Sequence, residues 1–276
     1  MRRVILALTD GLRPDAISPT VMPSLHALGD AYTVARHART IRPSVTVAAL
    51  ASLAAGVGSD THRLLKPGLD FLPRVSRLRP IARELSRAGI PTDAVTAEIP
   101  LTEWPLALSL AKAAGVRRFF PTGRRARETA SVARRLIHDE AEDRLLFVYL
   151  PDCDWAGHAH GWLSPAYLDA AAEVDAGIGI LSTCVEDTLV VVVADHGGGG
   201  VAATEHYHPH PQNDHVPLVL AGPGVARHHA LTGPISILDV PPTLLWWFGA
   251  PVPACYEGRP LLEAFAPPLV AEMAAR

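Results

Sequence analysis

The amino-acid sequence predicts a single α/β domain in which a mostly parallel sheet lies between two layers of helices. Short, continuous apolar runs indicate strands buried on both faces, as in parallel sheets: Val4–Leu8, Leu145–Leu150, Leu189–Ala194 and Pro217–Ala221. Between these runs, apolar residues recur at helical intervals and indicate helices at Ile81–Ala88, Arg125–His138 and Ser164–Leu181. Because strands and helices alternate, we expect residues 1–276 to form one three-layer α/β/α sandwich.

The first strand begins directly after Met1-Arg2-Arg3, a basic start that also occurs in secretion signals. The apolar run that follows is too short for the core of a signal peptide and ends before Asp10. No apolar run in the sequence approaches the roughly 18 residues of a membrane span. We therefore expect a cytoplasmic protein without a membrane-spanning segment.

The composition restricts the class of protein and of partner. Hydrophobic residues make up 49% of the chain and charged residues 19%, which excludes a disordered or collagen-like chain. The 3 cysteines lack the spacing of a disulfide framework or of a thiolate metal site. A net charge of -3 provides no broad basic surface, so a small-molecule substrate is expected and a nucleic acid polymer is not.

Further elements complete the expected domain. The small apolar residues of Val47–Ala55 indicate a helix, and a strand is expected near Ala94–Ala97 after the break at Gly89-Ile90-Pro91. The arginine-rich segment Arg117–Arg127 is interpreted as a solvated turn before a helix, with phosphate binding as the alternative. Apolar patterns continue on both sides of Gly197–Gly200, so this glycine run does not indicate a linker between domains.

Aspartates follow three of the predicted strands. Asp10 comes two residues after the first strand, Asp154 four residues after Leu150, and Asp195 directly after the V-V-V-A strand. The carboxyl ends of parallel strands meet at the edge of the sheet where ligands bind, so these carboxylates are expected to converge. An aspartate after a strand is usually a helix N-cap, but three of them, two with a nearby histidine, favour a metal site.

Histidines accompany two of these aspartates. Asp154 and His158 are four residues apart, which places both side chains on one face of a helical turn. Asp195 and His196 are adjacent, and the glycines that follow allow the backbone to aim both side chains inward. Oxygen and nitrogen ligands without thiolate suit zinc, and also manganese or iron. The tract His206–His210, just before a core strand, is either a further source of ligands or a polar surface loop.

A nucleophile is expected at the start of the Val47–Ala55 helix. Thr46 lies at or near this N-terminus, where unpaired N–H groups and the helix dipole favour phosphate. The alternative is that Thr46 or Ser44 only caps the helix. A hydroxyl attacks phosphorus only when a base or a metal ion activates it, and the predicted metal site would provide that activation.

Several segments, taken in order, resemble the alkaline phosphatase superfamily and are most similar to its nucleotide pyrophosphatase/phosphodiesterase branch. They are L-T-D-G-L-R-P-D at Leu8–Asp15, P-S-V-T at Pro43–Thr46, D-W-A-G-H at Asp154–His158, A-D-H-G at Ala194–Gly197, H-P-Q-N-D-H-V-P at His210–Pro217 and I-L-D-V-P-P-T-L-L at Ile237–Leu245. Each motif alone is weak, but together they span nearly the whole chain. The resemblance implies an alkaline phosphatase-like fold, and the short spacers between motifs imply a minimal cap.

The resemblance also implies two divalent metal ions, zinc or alternatively manganese. One ion would be bound by Asp154, His158 and His210, and the other by Asp10, Thr46, Asp195 and His196. Thr46 would be the catalytic nucleophile and would form a covalent phosphothreonine. His210 is preferred to His206 and His208 as a ligand because of its spacing to Pro217.

The substrate is less well defined than the chemistry. Diesterase relatives carry a phosphate-holding asparagine downstream of the nucleophile, and here that position falls at Lys66-Pro67. We expect a phosphodiesterase or nucleotide pyrophosphatase, with a phosphomonoesterase or phosphonate hydrolase as alternatives and an inactive binding protein as a weaker one. A sulfatase is disfavoured, because its formylglycine derives from Cys or Ser in a different motif. The loop Gly161–Ala166 is among those expected to determine specificity, although it carries no recognisable code.

Overall fold

The protein is described by a computed structural model, which covers residues 1–66, 71–99 and 104–275. Within these residues the chain forms one sheet, whose strands are β1 (Arg3–Thr9), β2 (Thr33–Arg39), β3 (Thr92–Thr96), β4 (Arg118–Pro121), β5 (Arg144–Leu150), β6 (Thr188–Val193), β7 (His215–Ala221) and β8 (His229–Ala230). Their order across the sheet is β4-β3-β5-β1-β6-β7-β2-β8.

Helices cover both faces of this sheet. They are α1 (Pro23–Ala31), α2 (Thr46–Ala55), α3 (Ser59–His62), α4 (Phe71–Arg77), α5 (Ile81–Arg87), α6 (Trp104–Ala114), α7 (Ala126–Asp139), α8 (Asp152–His160), α9 (Pro165–Ser182), α10 (Pro211–Asp214), α11 (Val240–Phe248) and α12 (Pro267–Ala274). The helices α1, α7, α8 and α9 pack together in one layer, and α2, α5 and α11 pack together in the other. The expected three-layer sandwich is confirmed.

The parallel centre of the sheet determines where the candidate site lies. The strand β1 is buried at every position and pairs in parallel with β5 on one side and β6 on the other. Thr9 lies opposite Leu150, and Leu8 lies opposite Val193. Since the three strands therefore end level with one another, the residues that follow them emerge at one edge, as the sequence predicts.

The direction of β7 differs from the expectation. The sequence analysis takes Pro217–Ala221 as a parallel strand, whereas β7 runs antiparallel to β6, with Val190 opposite Ala221. A parallel neighbour needs a long crossover connection, usually a helix. In residues 194–214, all of which the structure describes, the connection contains the short helix α10 alone. The chain consequently returns beside β6 in the opposite direction.

The predicted helices are confirmed to within two residues at each end, at α2, α5, α7 and α9. The segment around Asp239 has a structural role. Its carboxylate and the Ser236 side chain form a capping box, and the carboxylate also accepts a hydrogen bond from the Arg259 N–H at 2.9 Å. None of the helices in the described ranges combines the length and apolar character needed to cross a membrane.

Candidate metal centre at the carboxyl edge of the sheet

Three aspartates converge beyond the central strands. Asp10 follows β1, Asp154 lies in the first turn of α8 after β5, and Asp195 follows β6. Each carboxylate has one buried oxygen without a hydrogen-bond partner, namely Asp10 Oδ1, Asp154 Oδ1 and Asp195 Oδ2. Burying a carboxylate oxygen without a partner is costly, so these three atoms fit a bound cation.

The other oxygen of two of these carboxylates is held by the protein. The Tyr149 hydroxyl, near the end of β5, donates to Asp10 Oδ2. Asp195 Oδ1 accepts hydrogen bonds from the backbone N–H groups of Gly11 at 3.2 Å and of His196 at 2.9 Å. In both residues one oxygen orients the carboxylate and the second stays free for a ligand.

Burial and mutual repulsion raise the pKa values of all three carboxyl groups. Burial, followed by the charge of Asp195, raises the pKa of Asp10 to about 8. Burial and the charge of Asp154 raise the pKa of Asp195 to about 7. Burial and the charge of Asp10 raise the pKa of Asp154 to about 6. Three anions at this site therefore require a compensating positive charge near neutral pH.

Three imidazoles face the carboxylates in a common arrangement. The Nδ1 of each ring is hydrogen-bonded to a backbone carbonyl, His158 to Thr204 at 3.0 Å, His196 to Gly197 at 2.8 Å, and His206 to Ser44. Donation from Nδ1 fixes the tautomer in which Nε2 has a free lone pair, as in metal-binding histidines. Burial and the neighbouring His196 lower the pKa of His206 to about 3, which keeps its ring neutral.

The first group of converging atoms consists of Asp154, His158 and His206. Asp154 Oδ1 lies 3.4 Å from His158 Nε2 and 3.9 Å from His206 Nε2, and the two nitrogens are 3.2 Å apart. Ligands at about 2.0–2.2 Å from a tetrahedral zinc ion are separated by roughly 3.3–3.5 Å. The spacing of the three atoms is close to that geometry.

The second group surrounds His196 Nε2. This nitrogen lies 3.2 Å from Asp10 Oδ1, 3.5 Å from Asp195 Oδ2 and 3.0 Å from Thr46 Oγ1. The groups adjoin one another, because the rings of His196 and His206 are stacked with their centroids 3.8 Å apart and an interplanar angle of 7°.

The side chain of Thr46 faces this second group and does not cap its helix. Val45 is the N-cap residue of α2, and no side-chain capping bond is present there. The Ser44 hydroxyl donates instead to the backbone carbonyl of His206. The alternative of a mere capping role is therefore not supported for either hydroxyl.

Among the predicted site residues, His210 is placed away from the others. It is the N-cap residue of α10, and its Nδ1 accepts a hydrogen bond from the Gln212 N–H at 3.2 Å. Within the described residues, two sets of three side chains have potential ligand atoms within 4.8 Å of one another, Asp154 with His196 and His206, and Asp10 with Asp195 and His196. Neither set contains His208 or His210, and His158 is brought to the first by its contacts with Asp154 and His206. His206 is also buried, whereas His208 is exposed. The structure thus brings His206 beside Asp154 and His158, whereas His210 as the third ligand stays a prediction.

Phosphate binding was also considered at two other segments in the sequence analysis. Lys66 is exposed, and Pro67 lies outside the described residues. Arg117 and Arg118 form ion pairs with the buried carboxylate of Asp93, at 2.9 and 2.7 Å. These arginines form ion pairs at the amino-terminal side of the sheet. The alternative that they bind phosphate is therefore not supported.

Two further residues support the centre although the sequence analysis did not identify them. Tyr149 is hydrogen-bonded to Asp10, and the Trp162 ring packs against His158 and His206. Tyr149 could have been found from the sequence, because it lies near the carboxyl end of a predicted core strand, as Asp10 does. No motif in the sequence indicates Trp162.

The sequence was compared with known protein families. The profile of the type I phosphodiesterase / nucleotide pyrophosphatase family matches residues 4–233. The chain belongs to this family. The resemblance drawn from the six motifs is thereby confirmed, and the match includes every residue of the two ligand groups.

Relatives with curated names match shorter segments of the chain. Arylsulfatase K of Canis lupus familiaris is 30% identical over 115 residues, which are 39% of this chain and 21% of that protein. GPI ethanolamine phosphate transferase 1 of Aspergillus oryzae is 38% identical over 92 residues, which are 31% of this chain and 9% of that protein. The matched segments cover 21% and 9% of these two relatives, so the chain spans at most about a fifth of their length.

Solved structures share the fold over nearly the full chain. The phosphonate monoester hydrolase of Agrobacterium radiobacter superposes with a TM-score of 0.72 at 15% identity, covering 96% of this chain and 77% of that one. Human ectonucleotide pyrophosphatase / phosphodiesterase 5 superposes with a TM-score of 0.71 at 13% identity, covering 93% of this chain and 97% of that one. At these identities the likeness concerns the fold, which is the alkaline phosphatase-like α/β sandwich.

Proposed function

We propose that this protein is a metal-dependent phosphoester hydrolase in which Thr46 is the nucleophile. The observation that carries the proposal is the position of Thr46 Oγ1, 3.0 Å from His196 Nε2 and beside the unpaired oxygens of Asp10 and Asp195. A hydroxyl that contacts a set of potential metal ligands is suited to nucleophilic attack, because a bound cation would activate it. Membership of the phosphodiesterase family supports a phosphoester as the substrate.

Two divalent cations, zinc or alternatively manganese, would occupy the two ligand groups. Asp154, His158 and His206 would hold one ion, and Asp10, Thr46, Asp195 and His196 would hold the other. We thus propose His206 in place of His210. When bound, the ions would lower the pKa of the Thr46 hydroxyl and neutralise charge on the phosphoryl oxygens and the leaving oxygen.

The protein's own groups would orient and transfer the phosphoryl group. Thr46 Oγ1 attacks the phosphorus in line with the ester oxygen, so that the Oγ1–P bond forms as the bond from phosphorus to the leaving oxygen breaks. Thr46 loses its hydroxyl proton in this step and the leaving oxygen takes one up as it departs as an alcohol, so the protons balance. Water then hydrolyses the phosphothreonine, which releases the phosphate product and restores the hydroxyl.

The start of α2 would hold the phosphoryl oxygens. Ala49 N–H is bonded to the Val45 carbonyl, so the N–H groups before Ala49 have no acceptor within the helix. Free N–H groups and the dipole at a helix N-terminus favour an anion. These groups lie beside Thr46, at the point where an attacked phosphoryl group would sit.

The substrate class is proposed as a phosphodiester, with phosphomonoesters and phosphonate esters as alternatives. The similarity of one segment to arylsulfatase K adds sulfate esters to the substrates that must be tested. We would assay chelator-stripped protein with Zn²⁺ or Mn²⁺ restored, on p-nitrophenyl diesters, monoesters, phosphonates and sulfates. Turnover by demonstrably metal-free protein would contradict the metal requirement, and preferred hydrolysis of the sulfate would contradict the phosphoester assignment.

The role of Thr46 is tested by substitution. We expect Thr46→Ala to lower kcat by several orders of magnitude with the fold retained, and Thr46→Ser to keep measurable activity. Acid quench during turnover of a ³²P-labelled substrate should trap phosphate on the peptide that contains Thr46.

A true capping residue provides the control. The Ser236 side chain accepts the Leu238 N–H in the turn that precedes α11. Ser236→Ala should therefore cost about 1 kcal/mol of stability and leave kcat unchanged. Near-normal turnover by Thr46→Ala would mean that water attacks phosphorus directly, without a covalent intermediate.

A further inference from the structure

Trp162 lies in the turn that follows α8 and belongs to none of the sequence motifs described above. Its side chain is buried, with 7% of the residue exposed. The preceding Gly161 ends α8 with a φ of 90°, and the Trp162 N–H donates to the Ala203 carbonyl at 2.9 Å. These contacts hold the indole between α8 and the loop that follows β6.

The indole N–H supports the loop that carries Asp10. Trp162 Nε1 donates to the Gly11 carbonyl at 2.8 Å, and the Tyr167 hydroxyl donates to the same oxygen at 2.9 Å. The N–H of Gly11 in turn donates to Asp195 Oδ1. Gly11 itself has a φ of 69°, and a Cβ there would lie 2.9 Å from the Asp154 Cα. The peptide that Trp162 holds thus contacts both other segments that carry aspartates.

The indole ring also supports two of the imidazoles. Its centroid is 5.2 Å from that of His158 at an interplanar angle of 79°, and 5.7 Å from that of His206 at 63°. Edge-to-face contacts of this kind limit the rotation of both rings. Since Nδ1 of each ring is bonded to a carbonyl, the indole adds a second restraint on the direction of each Nε2.

The indole occupies the space that side chains would need at three glycines. A Cβ at Gly157 would lie 2.6 Å from the Trp162 ring, one at Gly198 would lie 2.1 Å from it, and one at Gly199 would lie 2.8 Å from Trp162 Cβ. Gly157 belongs to the segment with Asp154 and His158, and the other two belong to the glycine run after His196. The glycines of both segments therefore make room for one buried ring.

We propose that Trp162 is a positioning residue for the metal centre, which fixes the two ligand groups relative to each other. It contacts the Asp10–Gly11 loop by a hydrogen bond, the helix α8 through Gly157 and His158, and the loop after β6 through Gly198 and His206. This inference rests on the proposed metal centre. Because the indole is buried and acts through the groups it contacts, its effect is expected on the affinity and geometry of the ions.

Zn²⁺ affinity of the full-length protein, measured by competition with a chromophoric chelator, tests the role. Loss of groups that orient metal ligands typically lowers affinity by about 10- to 100-fold. We expect a loss in that range for Trp162→Phe, which removes the N–H and part of the ring, and a larger loss for Trp162→Ala. The absorption spectrum of the Co²⁺-loaded protein should also change, because it reports ligand geometry.

Trp247 provides a matched control. It is buried to a similar degree, at 6% exposed, and lies in α11 in the opposite layer of helices. Trp247→Phe should leave both the Zn²⁺ affinity and the Co²⁺ spectrum unchanged, and thermal unfolding would verify the fold of each variant. If Trp162→Ala does not fold, Trp162→Phe alone decides.

A reciprocal variant tests the packing argument. Gly198→Ala should weaken Zn²⁺ binding because its methyl group meets the indole, and in the Trp162→Ala background, where the indole is absent, the same substitution should cause little further loss. Affinities of folded Trp162→Phe within about twofold of wild type would overturn the proposal, since the usual cost is at least tenfold. Wild-type protein that binds no Zn²⁺ would overturn the proposed metal centre instead.

Discussion

Replacing His206 by alanine removes one of the three side chains that converge in the first ligand group. The ring of His206 is buried, its Nε2 lies 3.2 Å from His158 Nε2, and its neutral state leaves that nitrogen free to bind. His206→Ala would leave Asp154 and His158 as the remaining protein ligands of that ion. His210→Ala is the matched comparison, because it removes the same side chain four residues later in the same loop.

The expected magnitudes separate the two variants. Loss of groups that merely orient a ligand lowers metal affinity by up to about 100-fold, so loss of a ligand should cost at least that much. With excess Zn²⁺, a 100-fold loss of affinity reduces the stabilisation by about 2.7 kcal/mol. His210→Ala should cost about 1 kcal/mol, because His210 accepts the Gln212 N–H at the start of α10. That cost should be the same with and without Zn²⁺.

Urea unfolding of both variants and of wild type, each with Zn²⁺ and with EDTA, measures these quantities. The packing that is lost with the imidazole ring lowers the free energy of unfolding both with Zn²⁺ and with EDTA. The difference between the two free energies therefore isolates the contribution of metal binding. Chelator competition gives the affinity independently. If His210→Ala loses more of the Zn²⁺-dependent stability than His206→Ala, the assignment of the third ligand from the structure is wrong.

Further predictions concern charge. Asp10, Asp154 and Asp195 have raised pKa values of about 8, 6 and 7, so the metal-free folded state binds more protons than the unfolded state. Its stability should then fall as pH rises from about 4 to 8, and a higher Tm in EDTA at pH 8 than at pH 5.5 would contradict this. Asp93→Ala should cost about 1–3 kcal/mol without affecting Zn²⁺ affinity, because the buried Arg144 loses its bond to Asp93 at 2.8 Å but keeps its ion pair with Glu140 at 3.0 Å. Arg127→Ala breaks an exposed pair with Glu173 and should cost less than about 1 kcal/mol in the same unfolding assay.

The sequence predicted those strands that are buried on both faces of the sheet. The strands β1 and β6 are buried at every position, so their sequences are continuous apolar runs. The strand β2 was not predicted, because Arg36 and His37 are exposed and a register shift lies between Ala35 and Ala38. Partly exposed strands with such irregularities lose the period on which sequence patterns depend.

The site could be predicted where its residues follow core strands directly. Strand register fixes the positions of Asp10 and Asp195, because Thr9 pairs with Leu150 and Leu8 pairs with Val193. No such register fixes the loop that carries His206. That loop is held by its contact with Ser44 and by the Trp162–Ala203 backbone bond, and neither contact can be deduced from the spacing between His210 and Pro217.

The arrangement of hydrogen bonds indicates that the ligands are organised before any cation binds. Asp10 and Asp195 each have one oxygen held by the protein, and His158, His196 and His206 each have Nδ1 bonded to a carbonyl. The atom left over in each side chain is the one that converges on a ligand group. Backbone groups and Tyr149 therefore supply the geometry, whereas a cation would supply charge neutralisation. Because β1 and β6 are buried at every position, the raised pKa values express the electrostatic cost of bringing the carboxylates together in the folded protein, and cations would remove that cost without having to fold the site.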